Sequence, residues 1–214
     1  MGVLLALGAR SVPVVSQGSR YVFAQVIKDV VDFLGLSDDI KPQLSPSELA
    51  ERYQSVVLDA AIRLCRQMPD EKLDNQLPNR PRSWLVLMHH LFQIPETFLD
   101  MEENGVQLTY ESLTAAPPSH LQTSESVALF GEQTRSRFRR WWQDAKSSDF
   151  DTEVEPYFGK TTRHEMFERT VWHSAQHTRQ VASLLEQAGV QPDRPLSSAD
   201  IQGLPLTDKI WDEG

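Results

Sequence analysis

The sequence predicts a mainly α-helical protein, a four-helix bundle that carries a small N-terminal β-hairpin and helix. Three observations support this fold class. Four segments between residues 45 and 189 repeat apolar side chains at helical spacing and have recognisable start or stop signals. Residues 1–36 instead show a strand, a turn at Gly18, a second strand and a helical run. Finally, His173 and His177 stand four residues apart on the apolar face of the last helix.

Composition and charge restrict the class of protein. The chain has 214 residues, and a bundle of about 150 residues buries enough apolar surface to be stable alone. A single cysteine, Cys65, excludes an internal disulfide framework and favours a reducing, cytoplasmic environment. The formal net charge of −9 argues against nucleic-acid binding. No segment has the roughly 20 apolar residues of a membrane span.

Helices one and three are predicted from their apolar stripes. The first begins after Ser45 or Ser47, either of which can cap its N-terminus, and it stops near Pro69. The third runs from about Thr123 to Lys146 and keeps its large apolar residues on one side. Long connections follow helices two and three, which indicates crossovers and loops that cover one end of the bundle.

Helix two carries two adjacent histidines. It runs from about Pro81 to a stop signal at residues 104–105. On a helical wheel, His90 shares a side with apolar residues, whereas His89 shares one with charged and amide side chains. We therefore expect His90 to point into the core and His89 to point outward. Pro95 removes a backbone donor and predicts a kink or bulge just past His90.

Helix four has the most informative spacing in the chain. It starts at Thr162, which forms a capping-box pattern with Glu165, and it ends at Gly189. With 3.6 residues per turn, His173 and His177 lie about 40° apart on the apolar side, so both imidazoles can reach one ion. A buried imidazole requires a hydrogen-bond or metal partner.

Two interpretations of the histidines stay open at this point. A lone histidine on an apolar face is more often a satisfied core residue than a metal ligand. A pair with a third inward histidine, His90, on a facing helix is instead the way in which a metal site is assembled in a bundle core. The other histidines are poor candidates, since His120 lies in a predicted loop and His164 on a charged helix side.

The chain also resembles the DinB/YfiT-like superfamily of metal-binding four-helix bundles. The resemblance rests on His90-Leu-Phe-Gln-Ile-Pro-Glu-Thr-Phe-Leu99, followed about eighty residues later by His-x-x-x-His-x-x-Gln. It also includes the terminal segment Asp200-Ile-Gln-Gly-Leu-Pro-Leu-Thr-Asp-Lys-Ile-Trp211 and covers roughly residues 45–211. His-x-x-x-His alone is common in helices, so the motif is specific only in combination with the histidine on helix two.

The resemblance implies a divalent-metal site. In this sequence His90, His173 and His177 would bind the ion, whether zinc, nickel, manganese or iron. Similar bundles include S-transferases and isomerases in which the metal activates glutathione, mycothiol or bacillithiol. Gln180 is then a candidate to orient a ligand imidazole or a metal-bound water. Arg137 is a candidate to bind a carboxylate of the thiol or of the substrate.

The functional prediction is therefore a metal-dependent enzyme that activates a low-molecular-weight thiol, or water, for S-transfer or isomerisation of a small electrophile. The alternative is a non-catalytic, divalent-metal-binding protein associated with stress, and a closed shell with a fourth protein ligand would favour it. A third interpretation omits the metal and treats the histidines as core residues. Neither nucleic acid nor a membrane is expected as a partner, and a homodimer stays open.

Residues 1–36 resemble the second half of a glutaredoxin or thioredoxin-like domain. In that half a Val-Pro dipeptide in cis precedes a hairpin and a helix, and residues 12–13 match it. The half with Cys-x-x-Cys is missing, so a redox role is not expected, and the segment is either a remnant or continues upstream of Met1. The predicted divisions are this partial segment (1–36), a linker (37–44), the bundle (45–195) and a C-terminal tail (196–214).

Overall fold

A computed structural model describes residues 14–18, 20–23, 27–35, 42–77 and 81–211 of the chain. It is mainly helical, as predicted, and has a two-stranded hairpin near the N-terminus. The elements are, in chain order, β1 (Val14–Gln17), β2 (Arg20–Phe23), α1 (Ile27–Leu34), α2 (46–67), α3 (Trp84–Asn104), α4 (Tyr110–Leu113), α5 (Ser124–Ala145), β3 (Glu153–Val154), β4 (Thr161–Thr162) and α6 (Arg163–Gln187).

Four long helices pack against one another and enclose the apolar core. The main helix pairs are α2 with α5, α5 with α3, α3 with α6, and α6 with α2. The largest core side chains are fully buried aromatic rings from all four helices: Tyr53, Phe92, Phe98, Phe138 and Phe167. The connection 105–123 joins α3 to α5, and these two helices pack against each other. The connection 146–162 joins α5 to α6, and these two helices do not form one of the four main pairs. The first and last of the long helices, α2 and α6, form one of the main pairs and so lie side by side.

The helix boundaries follow local signals in the sequence. The N-caps of the four long helices are Ser45, Ser83, Thr123 and Thr162. Ser45, not Ser47, caps α2, because its hydroxyl and the Glu48 carboxylate form a reciprocal capping box. Helix α3 begins later than predicted because Ser83 forms a β-bridge with Gln76 in the preceding loop. It ends as predicted at Gly105, which has a φ of 63°.

Helix α3 continues through Pro95 without a break, whereas α2 contains an irregular turn. Helix α2 passes through a π-helical segment at Tyr53–Val57. Because Pro95 has no N–H, the Leu91 carbonyl loses its usual helical donor. The Ser174 hydroxyl donates to that carbonyl at 3.4 Å, and the Tyr53 hydroxyl bonds to Ser174 Oγ at 2.9 Å. A buried polar chain thus connects α2, α6 and α3.

The N-terminal elements form the predicted hairpin and helix. Strands β1 and β2 pair in antiparallel register with Val14 opposite Phe23, and the turn between them contains Gly18 at a φ of 61°. Helix α1 packs on β2 and buries Val31. The peptide bond between residues 12 and 13, predicted to be cis, lies outside the described residues. No described helix is both long enough and apolar enough to cross a membrane.

Segments on either side of the long helices are attached to α6. Before α2, the Leu44 carbonyl accepts a hydrogen bond from His164 at 2.9 Å. After α6, the chain returns along the same helix, where the Arg179 guanidinium donates to the carbonyls of Thr207 and Asp208. The Trp211 indole then donates to Ser183 at 3.1 Å. These contacts hold the C-terminal segment beside the histidine-bearing part of α6.

Glu168 lies near the start of α6 and is only 8% exposed. The pKa of its carboxyl group is raised from 4.5 to about 7, mainly by burial and also by the charge of Glu165, while the backbone N–H of Gln43 opposes part of this rise. The folded state therefore holds this proton more tightly than the unfolded state does. The resulting stabilisation is complete below the ordinary pKa and is lost as the pH rises through about 7.

Replacing Glu168 by Gln should remove this pH dependence. We expect Glu168→Gln to raise the free energy of unfolding, relative to the wild type, by about 1–3 kcal/mol more at about pH 8 than at about pH 5. Urea unfolding at the two pH values measures the difference. Glu186→Gln, which changes an exposed carboxylate of the same helix, is the matched control. An identical pH dependence in the wild type and Glu168→Gln would contradict the prediction.

Candidate metal centre

Three histidines from two packed helices converge, as the sequence predicts. His90 comes from α3, and His173 and His177 come from successive turns of α6. One nitrogen of each ring lies within 4.8 Å of the others. The ring centroids are 5.4 Å apart for His90 and His173, 5.0 Å for His90 and His177, and 4.8 Å for the α6 pair. The three rings therefore face a common point between the helices.

Hydrogen bonds define which nitrogen two of these rings present. His90 Nδ1 donates to the Leu113 carbonyl at 2.9 Å, and His177 Nδ1 donates to Gln180 Oε1 at 2.7 Å. The Gln180 amide nitrogen donates in turn to the Ile210 carbonyl at 3.0 Å, which fixes the amide orientation. With a proton on Nδ1, the basic nitrogen of both His90 and His177 is Nε2. In this tautomer Nε2 carries a free lone pair, with which each ring can bind a metal.

The carbonyl that binds His90 is positioned by the short helix α4. Thr109 caps this helix in a capping box with Ser112, so the single turn is well defined. The Gln93 amide from α3 donates to the Ser112 carbonyl at 3.0 Å and holds α4 against α3. Leu113, the last residue of α4, thereby places its carbonyl within hydrogen-bond distance of His90 Nδ1.

The cluster is electrostatically suited to neutral imidazoles. Burial holds the pKa of His90 and His173 well below 6.5, and the neighbouring His177 lowers both further. Two cationic side chains act in the same direction, Arg82 on both rings and Arg169 on His173. Near neutral pH these two rings are therefore uncharged, which is the form that binds a metal.

The residues fit a divalent ion. An equilateral triangle with sides of 4.8 Å has its centre about 2.8 Å from each corner, compared with about 2.0–2.1 Å for a zinc–nitrogen bond. A shift of under about 1 Å by each ring would complete the coordination. Three protein nitrogens are also the usual ligand number of catalytic zinc sites. Within the described part of the chain, this is the one such group of His, Cys, Asp or Glu side chains.

A small pocket opens beside the cluster. It encloses about 230 Å³ of empty space, part of which is continuous with solvent. The pocket is lined by His173, Arg169 and Thr170 of α6, Ile94 of α3, and Tyr157 and Phe158 of the connection 146–162. The two long connections meet here, because the Tyr157 amide donates to the Leu108 carbonyl at 2.9 Å. Loops therefore cover this end of the helices, as the connection lengths indicated.

His89 corrects one sequence-based expectation. It lies outside the histidine cluster, as expected, but it does not point to solvent, since only 2% of it is exposed. Its ring stacks on Phe130 of α5 with the ring centroids 5.6 Å apart. Helix α3 has a neighbour on two sides, α6 and α5, so the side that faces away from the cluster is covered as well.

Arg137, the predicted carboxylate-binding residue, lies between α5 and α3. Its guanidinium forms ion pairs with Glu96, Asp100 and Glu103, which lie along one side of α3. A substrate carboxylate would have to compete with these three.

The two remaining histidines are away from the site: His164 bonds to the chain before α2, and His120 is exposed.

Sequence reasoning missed Arg169, Arg82 and the loop residues of the pocket. Arg169 precedes His173 by four residues, so the i, i+4 spacing that revealed the histidine pair also places this arginine on the same helix face. Tyr157 and Phe158 carry no comparable signal. Their position depends on how the connection 146–162 folds back over the helices.

Comparison with known proteins adds no family assignment. Neither the scan against protein-family models nor the search of curated proteins finds a match to this chain. The features of the molecule that bear on function are therefore the histidine cluster, the adjoining pocket and the mainly helical fold.

The cluster predicts stoichiometric metal binding that depends on His177. We expect His177→Ala, in protein purified without a histidine tag, to lose most bound metal, because two imidazoles hold an ion far more weakly than three. Elemental analysis measures the metal content. Zinc at about 100 times its Kd should also stabilise the wild type by about 2.7 kcal/mol in thermal unfolding, and this effect should vanish in the variant.

His120→Ala is the matched control, since this histidine is exposed and away from the cluster. Its metal content should equal that of the wild type. Equal losses in His120→Ala and His177→Ala, or a wild type that binds no divalent ion, would contradict the metal site.

Proposed function

We propose that this protein is a metal-dependent enzyme of the DinB/YfiT-like four-helix-bundle type. In this proposal His90, His173 and His177 hold a divalent ion that activates a low-molecular-weight thiol, or water, for S-transfer or isomerisation. The observation that carries it is the convergence of three ring nitrogens within 4.8 Å of one another beside a pocket. The sequence resemblance and the paired packing of the four long helices support the bundle assignment.

The protein groups around the cluster have separable tasks. Three neutral imidazoles leave a bound divalent ion its full charge, so the ion would lower the pKa of a bound thiol or water toward neutrality. Leu113 and Gln180 hold His90 and His177 with Nε2 toward the common point. Arg82 and Arg169 add positive potential, which favours a thiolate over a neutral thiol in the same place.

The donor set narrows the choice of metal. Imidazole nitrogens suit zinc, nickel and iron, whereas manganese prefers oxygen ligands. Among the four metals under consideration, we therefore favour zinc or nickel and place manganese last. The buried setting of His90 and His177 also limits how many water ligands can surround the ion.

A non-catalytic, stress-associated metal-binding protein is the second candidate. The observation that favours it is the small size of the pocket beside the cluster, which leaves little room for a substrate. A turnover measurement distinguishes the enzyme from the binding protein. An enzyme consumes thiol with its metal bound, whereas a binding protein holds the metal and leaves thiols unchanged.

Thiol depletion is the direct test. Metal-reconstituted protein is incubated with an aryl halide electrophile and glutathione, mycothiol or bacillithiol in turn, and the remaining thiol is measured. We expect the wild type to consume at least one thiol and His177→Ala to consume none. A wild type that holds stoichiometric metal but turns over none of the three thiols would support the binding protein instead.

Gln180→Ala should reduce metal affinity or activity about 10–100-fold without unfolding the protein, because it removes the hydrogen bond that orients His177 together with one hydrogen bond to the Ile210 carbonyl. Gln176→Ala is the matched control. Gln176 also donates to the Ile210 carbonyl, at 2.7 Å, so this variant loses the same contact with the C-terminal segment and keeps the His177 contact. Equal effects of the two substitutions would show that Gln180 acts through the tail alone.

A further inference from the structure

Arg169 and the histidine cluster share one face of α6 and one pocket. Arg169 lies four residues before His173, and side chains at this spacing have Cβ atoms about 5–6 Å apart. Both residues line the small pocket between α3, α6 and the connection 146–162. A molecule that occupies this pocket therefore contacts the guanidinium and the edge of the metal-binding cluster together.

Aromatic side chains hold the Arg169 guanidinium in place. Its central carbon lies 4.5 Å from the centre of the Phe158 ring and 5.4 Å from that of Trp172. The guanidinium also donates a hydrogen bond to the Tyr157 hydroxyl. Stacking of this kind preorganises the planar donor fork of an arginine, so less entropy is lost when an anion binds to it.

The electrostatics of the pocket favour an anion. Burial lowers the pKa of Arg169, although Tyr157 counteracts part of the effect, so the surroundings as they stand disfavour the charge. Arg82 adds a second positive charge near the cluster. A divalent ion on the histidines would add two more. Negative charge on the bound molecule relieves all of these repulsions.

The pocket suits a carboxylate better than a phosphate. It contains one arginine, whose fork matches the two oxygens of a carboxylate, and a single charge balances a monoanion. Its other walls include Ile94, Leu108 and Phe158, which suit a short apolar stem. The pocket is small and partly open to solvent, so it admits only a small group.

We propose that Arg169 binds a carboxylate of the molecule whose thiol the histidine cluster activates, so that the substrate class is a short carboxylate-bearing thiol. This proposal rests on the proposed function, since it assumes that a thiolate binds at His90, His173 and His177. The thiol loses its proton to solvent on binding, and the carboxylate lies one helical turn away against the guanidinium. Arg169 thus takes the role that the sequence suggested for Arg137.

The test compares a charged probe with its neutral isostere. Cobalt-substituted protein is titrated with 2-mercaptoacetate and 3-mercaptopropionate and with their primary amides, and the thiolate-to-cobalt absorption band reports binding without any turnover. We expect the better of the two acids to bind at least about ten-fold more tightly than its amide, because charged hydrogen bonds exceed neutral ones. Equal affinities of acid and amide in the wild type would overturn the proposal.

Variants locate the preference on Arg169. Arg169→Gln should bring the acid-to-amide affinity ratio close to one while cobalt stays bound, and Arg169→Lys should keep part of the preference. Arg140→Gln, an exposed arginine on α5, is the control and should behave as the wild type. An unchanged ratio in Arg169→Gln would overturn the assignment to Arg169.

Two further outcomes separate this inference from the proposed function. If acids and amides give the thiolate band with equal affinity, the inference fails and thiol binding at the metal stands. If cobalt is bound but no thiol gives the band, the proposed thiol chemistry fails and the inference fails with it.

Competition experiments need no variant: acetate should displace 3-mercaptopropionate more effectively than inorganic phosphate, and the reverse order would overturn the preference for carboxylate.

Discussion

The packing of α3 against α6 brings polar groups into an apolar interior, and the site depends on how these groups are satisfied. Buried polar atoms cost about 1–3 kcal/mol each when they lack a partner. Leu113 accepts from one ring, and Gln180 accepts from another. The Leu91 carbonyl, left without a helical donor by Pro95, receives Ser174. Two further helices contribute to this network. Helix α4 supplies Leu113, and the π-helical turn of α2 supplies Tyr53.

A cationic site sits within an acidic protein. The chain carries a formal charge of −9, yet the charged side chains that act on the cluster histidines are Arg82 and Arg169. Several other arginines are paired with carboxylates, as Arg137 is with three acidic residues of α3. Burial and the local positive potential together keep His90 and His173 uncharged, and this potential favours an anionic ligand. Charge distribution, rather than net charge, thus sets what this site can bind.

Loops and the C-terminal segment complete the site that the helices begin. The connections 105–123 and 146–162 are joined to each other and provide the pocket wall opposite His173. The segment after α6 is bound along that helix and meets Gln180 at the Ile210 carbonyl. Access to the cluster and the orientation of His177 therefore depend on chain segments outside the long helices, so changes in these segments will affect metal binding without touching a ligand.

The sequence by itself determined most helix boundaries, although not the start of α3, and the inward direction of the three histidines. Caps such as Ser45 and the stop at Gly105 act within a few residues, and the helical period alone orients His173 and His177, so no tertiary information is needed. Only the tertiary structure decided that His89 is buried, because a helical wheel does not show how many neighbours a helix has. It also decided which polar groups accept from the histidines and how Tyr157 and Phe158 enclose Arg169, since these contacts join separate segments whose approach depends on packing.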